Sequence, residues 1–274
     1  ILPAIISLFI ISLNNKVFCQ EKRETTIYQK TDKAKLTQWV DSVYNQMTQE
    51  QRIGQLFMPI VAGDISEANK NRIQSLVRNQ HVGGILFSKG TPANQAVLTN
   101  LAQKTAKNPL MISLDGEWGL SMRLSNTTKF PRNMTLGAIQ NDSLLYYYGL
   151  EVARQCRLMG IHVNFAPDMD VNSNPANPVI GNRSFGEDPE SVARLGIMYA
   201  KGLEAGGVMA VAKHFPGHGD TSADSHKTLP AIDHDRSRLD SVELYPFKKY
   251  IDAGLSGMMV GHLNIPVLDE NTQP

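Results

Sequence analysis

A cluster of ionisable side chains lies between residues 213 and 226 of the 274-residue chain. Three histidines, two aspartates and one lysine fall within this stretch, directly after the apolar run 207–212. Histidine exchanges protons near neutral pH, and a neighbouring carboxylate orients its ring and favours its protonated form. Pro216 and the glycines after it are incompatible with a helix, so the pattern predicts a loop. Such a loop at the end of an apolar strand is typical of the rim of an active site.

Asp224 and His226 form the most specific pair in this cluster. One residue separates them, and in an extended loop this spacing lets both side chains point the same way. The carboxylate would orient the imidazole, which could then donate and accept a proton during catalysis. A solvated polar loop without chemistry is the alternative interpretation. Asp224 and His226 are therefore candidate catalytic residues.

His214 and His218 have a spacing that also occurs in metal sites. The Pro216-Gly217 step between them prevents the helix that would align the two rings on one face. We therefore predict no metal, and a metal-dependent hydrolase stays open as an alternative. Its further ligands would come from Asp220, Asp224, His226 and His262. Three isolated histidines are assigned no function: His81, His162 and His234.

The elements that would position these groups alternate between two patterns. Six short apolar runs of the kind found in buried parallel strands occur along the chain. They span 55–60, 84–87, 110–114, 161–165, 208–212 and 257–260. Amphipathic stretches predict helices between them, near 67–79, 93–107, 142–159, 188–205 and 236–253. Asp142, Asp188 and Asp235 stand where a helix N-cap or a first-turn acid is expected. This alternation is typical of βαβ units.

Polar, ionisable residues follow the apolar runs. After the third to sixth runs come, in turn, Asp115 with Glu117, Asp168 with Asp170, Lys213 with His214, and His262. In a (β/α)8 barrel the C-terminal ends of the strands hold the active site. A doubly wound sheet would also place ligands there, but the chain has no Gly-x-Gly-x-x-Gly after its first strand and no Walker-type loop. The predicted fold class is α/β, an incomplete (β/α)8 TIM-type barrel with about six of the eight βα units.

The composition fits one large globular domain without a polyanionic partner. The chain has a mass of 30.3 kDa, which suits a single barrel better than two small domains. With 27 basic and 26 acidic residues, its formal net charge is +1. This balance provides no basic field, so no nucleic-acid partner is predicted.

The N-terminal residues have the pattern of an export signal. Residues 1–13 are almost entirely apolar, and the run is too short to span a bilayer but suits a signal-peptide core. A plausible cleavage point follows Cys19, and lipid attachment at Cys19 is the alternative. The protein would then be exported, periplasmic or associated with the outer membrane, without stable membrane insertion after cleavage.

These features divide the chain into three predicted parts. They are a signal peptide at 1–19, a polar lead-in at 20–45 and the barrel domain at 46–274. The other cysteine, Cys156, lies in a partly apolar helical stretch and is expected to be a buried structural thiol.

Several long motifs, in a consistent order, resemble one known family. The turn Asp115-Gly116-Glu117-Trp118-Gly119 resembles its Asp-x-Glu-Gly-Gly turn, with Trp118 at a position where glycine is usual. The other similar blocks are 47–57, 166–172, 182–189 and 213–226. From about Met47 to its end, the chain resembles glycoside hydrolase family 3, in the branch of the bacterial β-N-acetylglucosaminidases.

The resemblance implies roles for individual residues. Four of them match positions that hydrogen-bond the hydroxyls of the terminal sugar: Asp115, Arg183, Lys213 and His214. Arg123 matches an arginine downstream of the turn and is grouped with these substrate-binding residues. Asp224 and His226 match the family's Asp–His dyad, in which the imidazole is the acid/base.

Simpler structural roles remain possible for some of these residues. Arg183 could form a salt bridge that braces its loop to Glu187 or Asp188, and Asp115 could cap a helix. Asp168 and Asp170 could contact sugar, but they could equally brace their loop, and they are left out of the predicted site.

The implied activity is that of an exo-acting retaining β-N-acetylglucosaminidase. It would hydrolyse terminal N-acetylglucosamine from cell-wall fragments or chitin oligomers, without a cofactor. The family's nucleophile is an aspartate after the seventh strand, which we expect beyond Pro274; Asp269 does not match it. The chain alone is therefore expected to be inactive. Alternatives are a β-N-acetylglucosaminide phosphorylase or β-glucosidase of the same family, and a catalytically silent sugar-binding module.

Overall fold

Six parallel strands form one sheet in the structure, a computed structural model that describes residues 32–224 and 228–270. The strands are β1 (Ile60–Gly63), β2 (Gly84–Gly90), β3 (Met111–Leu114), β4 (Val163–Asn164), β5 (Met209–Phe215) and β6 (Gly257–Val260). Neighbours in the sheet are also neighbours in the chain, so the strand order runs from β1 to β6 without a reversal. Every pair is parallel.

Helices precede the sheet and connect its strands. They are α1 (Lys33–Tyr44), α2 (Gln49–Gly54), α3 (Glu67–Arg78), α4 (Pro92–Thr105), α5 (Asn133–Leu136), α6 (Ser143–Leu158), α7 (Pro189–Ala205), α8 (Arg236–Ser241) and α9 (Tyr245–Asp252). Sequential strand order is the arrangement of a (β/α)8 barrel, whereas a doubly wound sheet reverses its order at one point. Within the described residues β1 and β6 each pair with one strand, so the sheet is open. The predicted incomplete (β/α)8 fold is confirmed.

The core lies between the sheet and the helices outside it, and α6 and α7 pack closely there through glycine. A Cβ atom added to Gly149 would lie 2.3 Å from the Tyr199 carbonyl oxygen, and one added to Gly202 would lie 2.2 Å from the Tyr146 carbonyl oxygen. Any larger residue would push the two helices apart. Cys156 of α6 is buried as predicted, and burial raises the pKa of its thiol to about 12.

Two of the three predicted N-cap aspartates cap their helices. Asp188 and Asp235 accept hydrogen bonds from backbone N–H groups three residues later, at 2.8 and 2.7 Å. These bonds satisfy donors that the first turn of a helix leaves free. Asp142 occupies the N-cap position of α6 but makes no capping hydrogen bond. Its carboxylate pairs with Arg194 of α7 instead.

The prediction of the first strand was wrong in position. The apolar run 55–60 suggested a buried strand, but β1 comprises Ile60–Gly63. Leu56 and Phe57 are exposed and belong to the connection from α2. Pro59 has no N–H to donate to a ladder, so the strand begins only after it.

Strand β5 is longer than the apolar run 208–212 that predicted it. It extends to Phe215, so Lys213 and His214 lie in the strand and not in the loop, contrary to the prediction. The Lys213 N–H donates to the Pro167 carbonyl at 3.1 Å, and the Lys213 carbonyl accepts from the Met169 N–H at 2.7 Å. These bonds continue the contact between β5 and the segment after β4.

Two further differences concern helices. The single helix predicted near 236–253 is broken at Val242 into α8 and α9, and Pro246 lies in the first turn of α9, where its missing N–H costs nothing. The predicted polar lead-in at 20–45 contains α1, which Asp32 caps with its side chain. The predicted signal peptide and Cys19 lie outside the described residues. In the part of the chain that is described, no helix combines the length and the apolar character needed to cross a membrane.

Candidate active site

A buried network of ion pairs joins the C-terminal ends of β3 and β5. The Lys213 ammonium contacts Asp115 and lies 2.7 Å from Oε1 of Glu117. The side chain of Lys213 is 2% exposed and that of Glu117 is fully buried. Arg123 pairs with the second carboxylate oxygen of Asp115, and its Nε donates to the Asp115 carbonyl at 3.1 Å. Each charge therefore has a partner of opposite sign, as burial requires.

Arg183 completes the network from the far end of the loop after β4. It ends a short 3-10 turn, Gly181–Arg183, and reaches Glu117 with two nitrogens. Nη2 donates to Oε1 at 2.7 Å and Nε donates to Oε2 at 3.1 Å. Burial alone would raise the pKa of Glu117, but Lys213 and Arg183 outweigh it and lower the pKa to about 2. Glu117 is thus ionised and holds two cations in place.

The position of Arg183 is supported by its neighbours. The buried Asn133 donates from Nδ2 to the Arg183 carbonyl at 2.6 Å. The guanidinium of Arg132 lies 4.2 Å from the ring centroid of Trp118 and donates to Oδ1 of Asn182 at 3.3 Å. Arg132 therefore connects the ring of Trp118 with the turn that carries Arg183.

Asp168, Asp170 and His214 form a second, adjoining cluster. Oδ2 of Asp170 lies 2.6 Å from Nδ1 of His214, and Nε2 of the same ring lies 3.2 Å from Nη2 of Arg183. Oδ1 of Asp168 accepts from the Asp170 N–H at 3.0 Å. Oδ2 of Asp168 is buried, has no hydrogen-bond partner among the described residues and lies 3.7 Å from the Arg183 guanidinium.

The pKa values of the two aspartates in this cluster are shifted in opposite directions. Burial, together with the neighbouring Asp170 carboxylate, raises the pKa of Asp168 well above its ordinary value. Burial also opposes ionisation of Asp170, but the hydrogen bonds that its carboxylate accepts from His214 and His218 help to lower its pKa. Of the two carboxyl groups, Asp170 is therefore the one whose surroundings favour the ionised form.

The five predicted substrate-binding residues lie together in this site: Asp115, Arg123, Arg183, Lys213 and His214. Arg183 pairs with Glu117 and not with Glu187 or Asp188, so the simpler role as a loop brace does not describe its contacts. Asp115 does not cap a helix, because its carboxylate pairs with Lys213 and Arg123.

The predicted acid/base pair is only partly described. Asp224 is half-buried in the loop after β5, and its carbonyl accepts from the Thr228 N–H at 3.1 Å. His226 lies outside the described residues.

The base of this loop is anchored to the loop after β4. Nδ2 of Asn177 donates to the carbonyls of His218 and Gly219, at 2.8 and 3.0 Å. The contact is close, since a Cβ atom at Gly219 would lie 1.7 Å from the Val171 carbonyl oxygen. Only glycine allows this approach, which fixes the start of the segment that carries Asp224.

Within residues 32–224 and 228–270, several side chains of the alternative metal site have other partners. Nδ1 of His218 lies 2.9 Å from the Thr221 hydroxyl, and the rings of His214 and His218 are 5.9 Å apart between centroids. Asp220 pairs with His234, a residue to which the sequence assigned no function. In residues 32–224 and 228–270, the group with metal-ligand geometry is instead Asp168, Asp170 and His214.

Three residues at the centre of the site were missed by the sequence analysis: Glu117, Asp168 and Asp170. Each of them is an acidic residue that follows a predicted strand and lies two positions from a second acidic residue. For Asp168 and Asp170 the sequence leaves sugar contact and loop bracing open, and the structure buries both residues fully beside His214 and Arg183. The useful signal was the recurrence of paired acids at strand ends, which in a barrel converge on one face.

Substitution of Glu117 by glutamine is expected to destabilise the barrel in a pH-dependent way. Its pKa is lowered from 4.5 to about 2, so its contribution is complete above pH 4.5 and is lost as the pH falls toward 2. The shift corresponds to about 3 kcal/mol at pH 7. Calorimetry of the full-length protein should show a lower melting temperature for Glu117→Gln at pH 7 and a smaller difference at pH 3. A difference that does not change with pH would contradict this role.

Comparisons with known proteins identify the family of this chain. The family model described as the glycosyl hydrolase family 3 N terminal domain matches residues 48–274. The chain is 40% identical over 213 residues to a protein named beta-hexosaminidase A from Pseudoalteromonas piscicida, covering 73% of the chain and 36% of that protein. It is 37% identical over 202 residues to beta-hexosaminidase LpqI from Mycobacterium tuberculosis, covering 71% of the chain and 51% of that protein.

Two solved structures superpose on most of this chain. A glycoside hydrolase family 3 β-N-acetylglucosaminidase from Paenibacillus sp. str. FPU-7 superposes with a TM-score of 0.76 at 39% identity, over 83% of this chain and 44% of that chain. NagZ from Neisseria gonorrhoeae superposes with a TM-score of 0.69 at 30% identity, over 79% of this chain and 65% of that chain. The chain thus spans less than two thirds of each of these proteins. The chain belongs to glycoside hydrolase family 3, and residues 48–274 match the N-terminal domain of that family.

Proposed function

We propose that the full-length protein is an exo-acting retaining β-N-acetylglucosaminidase that releases terminal N-acetylglucosamine from cell-wall fragments or chitin oligomers. The observation that carries this proposal is the charged network of Asp115, Glu117, Arg183 and Lys213 beside His214 at the C-terminal ends of β3 and β5. A sugar ring presents hydroxyls as donors and acceptors, and charged groups of fixed geometry hydrogen-bond them strongly.

The exposure of the network separates residues that can touch a sugar from residues that support them. The side chains of Asp115 and Arg123 are 22% and 27% exposed, and those of Arg183 and His214 are each 17% exposed. These four can accept or donate hydrogen bonds to a ligand. Lys213 uses two of its three N–H donors on carboxylates, which leaves one for a hydroxyl at the buried end of the site.

The reaction would proceed in two steps through a glycosyl-enzyme. In the first step the family's aspartate nucleophile attacks the anomeric carbon while protonated His226 gives its proton to the leaving oxygen. In the second step neutral His226 removes a proton from water, which attacks the same carbon and releases the sugar. Asp224 orients the imidazole throughout. These roles rest on the match of Asp224 and His226 to the family's dyad.

The test compares the rates at which the full-length protein cleaves two substrates, nitrophenyl β-N-acetylglucosaminide and nitrophenyl β-glucoside. We expect strong preference for the N-acetylated substrate. Equal or reversed preference would favour a β-glucosidase. One relative, from Cellulomonas fimi at 30% identity, carries the name beta-N-acetylglucosaminidase/beta-glucosidase, so this control is necessary. Binding of N-acetylglucosamine without turnover of either substrate would favour a silent sugar-binding module.

Phosphorolysis is the second candidate reaction, because a neutral imidazole at position 226 repels phosphate less than a carboxylate would. Product analysis with and without inorganic phosphate separates the two reactions. Free N-acetylglucosamine in both samples supports hydrolysis, whereas N-acetylglucosamine 1-phosphate in the phosphate sample supports phosphorolysis.

Full activity is expected to survive a strong chelator. Asp168, Asp170 and His214 place one potential ligand atom each within 4.8 Å of one another, but Asp170 and His214 already contact each other at 2.6 Å. Turnover of the nitrophenyl substrate should therefore be equal before and after dialysis against EDTA. Loss of activity that added zinc restores would instead support the metal-dependent alternative.

We also propose that the protein is exported through the signal-like segment 1–19. Fractionation of the native host should place it in the periplasm or the outer membrane. Recovery in the cytoplasm would contradict this location.

A further inference from the structure

Asp170 lies behind His214, on the side of the ring away from Arg183. Its carboxylate is fully buried and accepts three hydrogen bonds from the chain that carries His214. The backbone N–H of His214 donates at 3.2 Å, the backbone N–H of His218 donates at 2.6 Å, and Nδ1 of His214 lies at 2.6 Å. Asp170 is thus bound to both the backbone and the ring of His214.

The partners of the ring determine which of its nitrogens carries the proton. Arginine has only donors, so Nε2 of His214, at 3.2 Å from Nη2 of Arg183, must offer a lone pair. A proton on Nε2 would place two hydrogen-bond donors, Nε2 of His214 and Nη2 of Arg183, opposite each other with no acceptor between them. The remaining nitrogen, Nδ1, then carries the hydrogen and donates it to Oδ2 of Asp170. The donors and acceptors around the ring therefore assign the neutral Nδ1–H tautomer.

We propose that Asp170 is a positioning residue that holds His214 in this tautomer, so that Nε2 faces the sugar site as a hydrogen-bond acceptor. The inference rests on the proposed function, in which His214 contacts a sugar hydroxyl. In that role the hydroxyl donates to the single lone pair of Nε2 in place of Nη2 of Arg183, which can then donate to the sugar. Asp170 touches no substrate atom and acts through the ring of His214.

Neutron diffraction from crystals of the full-length protein tests the tautomer without any measurement of activity. We expect deuterium on Nδ1 of His214 and none on Nε2. Deuterium on Nε2 alone, or on both nitrogens, would overturn the inference whether or not the protein is a glycosidase. The diffraction experiment needs only the wild-type protein, so its result does not depend on the folding of a variant.

A double-mutant cycle tests the effect on catalysis. Asparagine at position 170 can donate its amide to Nδ1 and so favour the wrong tautomer, with Nε2–H directed at Arg183. Asp170→Asn should lower kcat/KM by about 30-fold in the wild-type background, and by less than about threefold in the His214→Ala background. The same factor in both backgrounds would mean that Asp170 supports the fold and not the ring.

Asp188→Asn is the matched control, since it removes a carboxylate from the same connection after β4. Asp188 caps α7, and asparagine caps almost as well, so kcat/KM should not change. An equal loss in Asp188→Asn and Asp170→Asn would contradict the inference. Absence of turnover in the wild-type protein would count against the proposed function only, because the tautomer is read from the diffraction experiment.

Discussion

Replacement of His226 by alanine is expected to nearly abolish cleavage of a natural disaccharide of N-acetylglucosamine. The leaving sugar alkoxide needs a proton, and the variant has no donor at that position. A nitrophenyl glycoside should be affected much less in its first step, because nitrophenolate leaves without protonation. Steady-state kinetics of the full-length protein on both substrates measure the difference.

The second step of the same variant should also slow, because no base activates water. The glycosyl-enzyme would then accumulate and release a burst of nitrophenol. Asp224→Ala should show the same pattern more weakly, since the imidazole remains but is less well oriented. If His226→Ala slows both substrates by one factor and shows no burst, His226 is not the acid/base.

Replacement of Arg183 by alanine is expected to lower kcat/KM by about 100-fold or more. Arg183 binds Glu117 with two nitrogens, lies 3.2 Å from His214, and is partly exposed toward the site. Without Arg183 the sugar loses a hydrogen-bond donor and the buried Glu117 carboxylate loses one of its cations. The expected loss of transition-state stabilisation is about 3 kcal/mol.

Two further variants separate these effects. Arg183→Lys keeps the charge but cannot form the two-pronged contact, so most of the loss should remain. Arg194→Ala removes an arginine from α7 that pairs with Asp142 outside the site, and its kcat/KM should stay within about twofold. A loss below threefold in Arg183→Ala would show that Arg183 only braces its loop.

The strands that the sequence predicted well are those in which apolar composition and burial coincide. Residues 84–87, 110–114 and 257–260 coincide with β2, β3 and β6 to within a few residues. The first run failed because apolar residues also fill a connection, where Leu56 and Phe57 are exposed in the described chain. Strand β5 was predicted too short because its last three residues, from Lys213, are not all apolar.

The candidate site was predicted at Asp115, Lys213 and His214 and was missed at Glu117. Asp115 follows β3, and Lys213 and His214 lie in the last residues of β5, where the barrel topology brings strand ends together. Glu117 was not selected, because its role depends on two cations that lie 66 and 96 residues away in sequence. Nothing local in the sequence distinguishes an acid that will be buried from one that will be solvated.

The sequential strand order has a consequence for how the chain acquires its structure during synthesis. Each strand pairs with the strand made just before it, so every new βα unit can add to an edge that already exists. The ion pair between Asp115 and Lys213 spans 98 residues and cannot form until β5 has emerged. Arg123 and Arg183 precede β5 in the chain, so Asp115 and Glu117 can meet these two cations before Lys213 is made. The scaffold can thus grow one unit at a time, whereas the polar network is complete only after β5 has emerged.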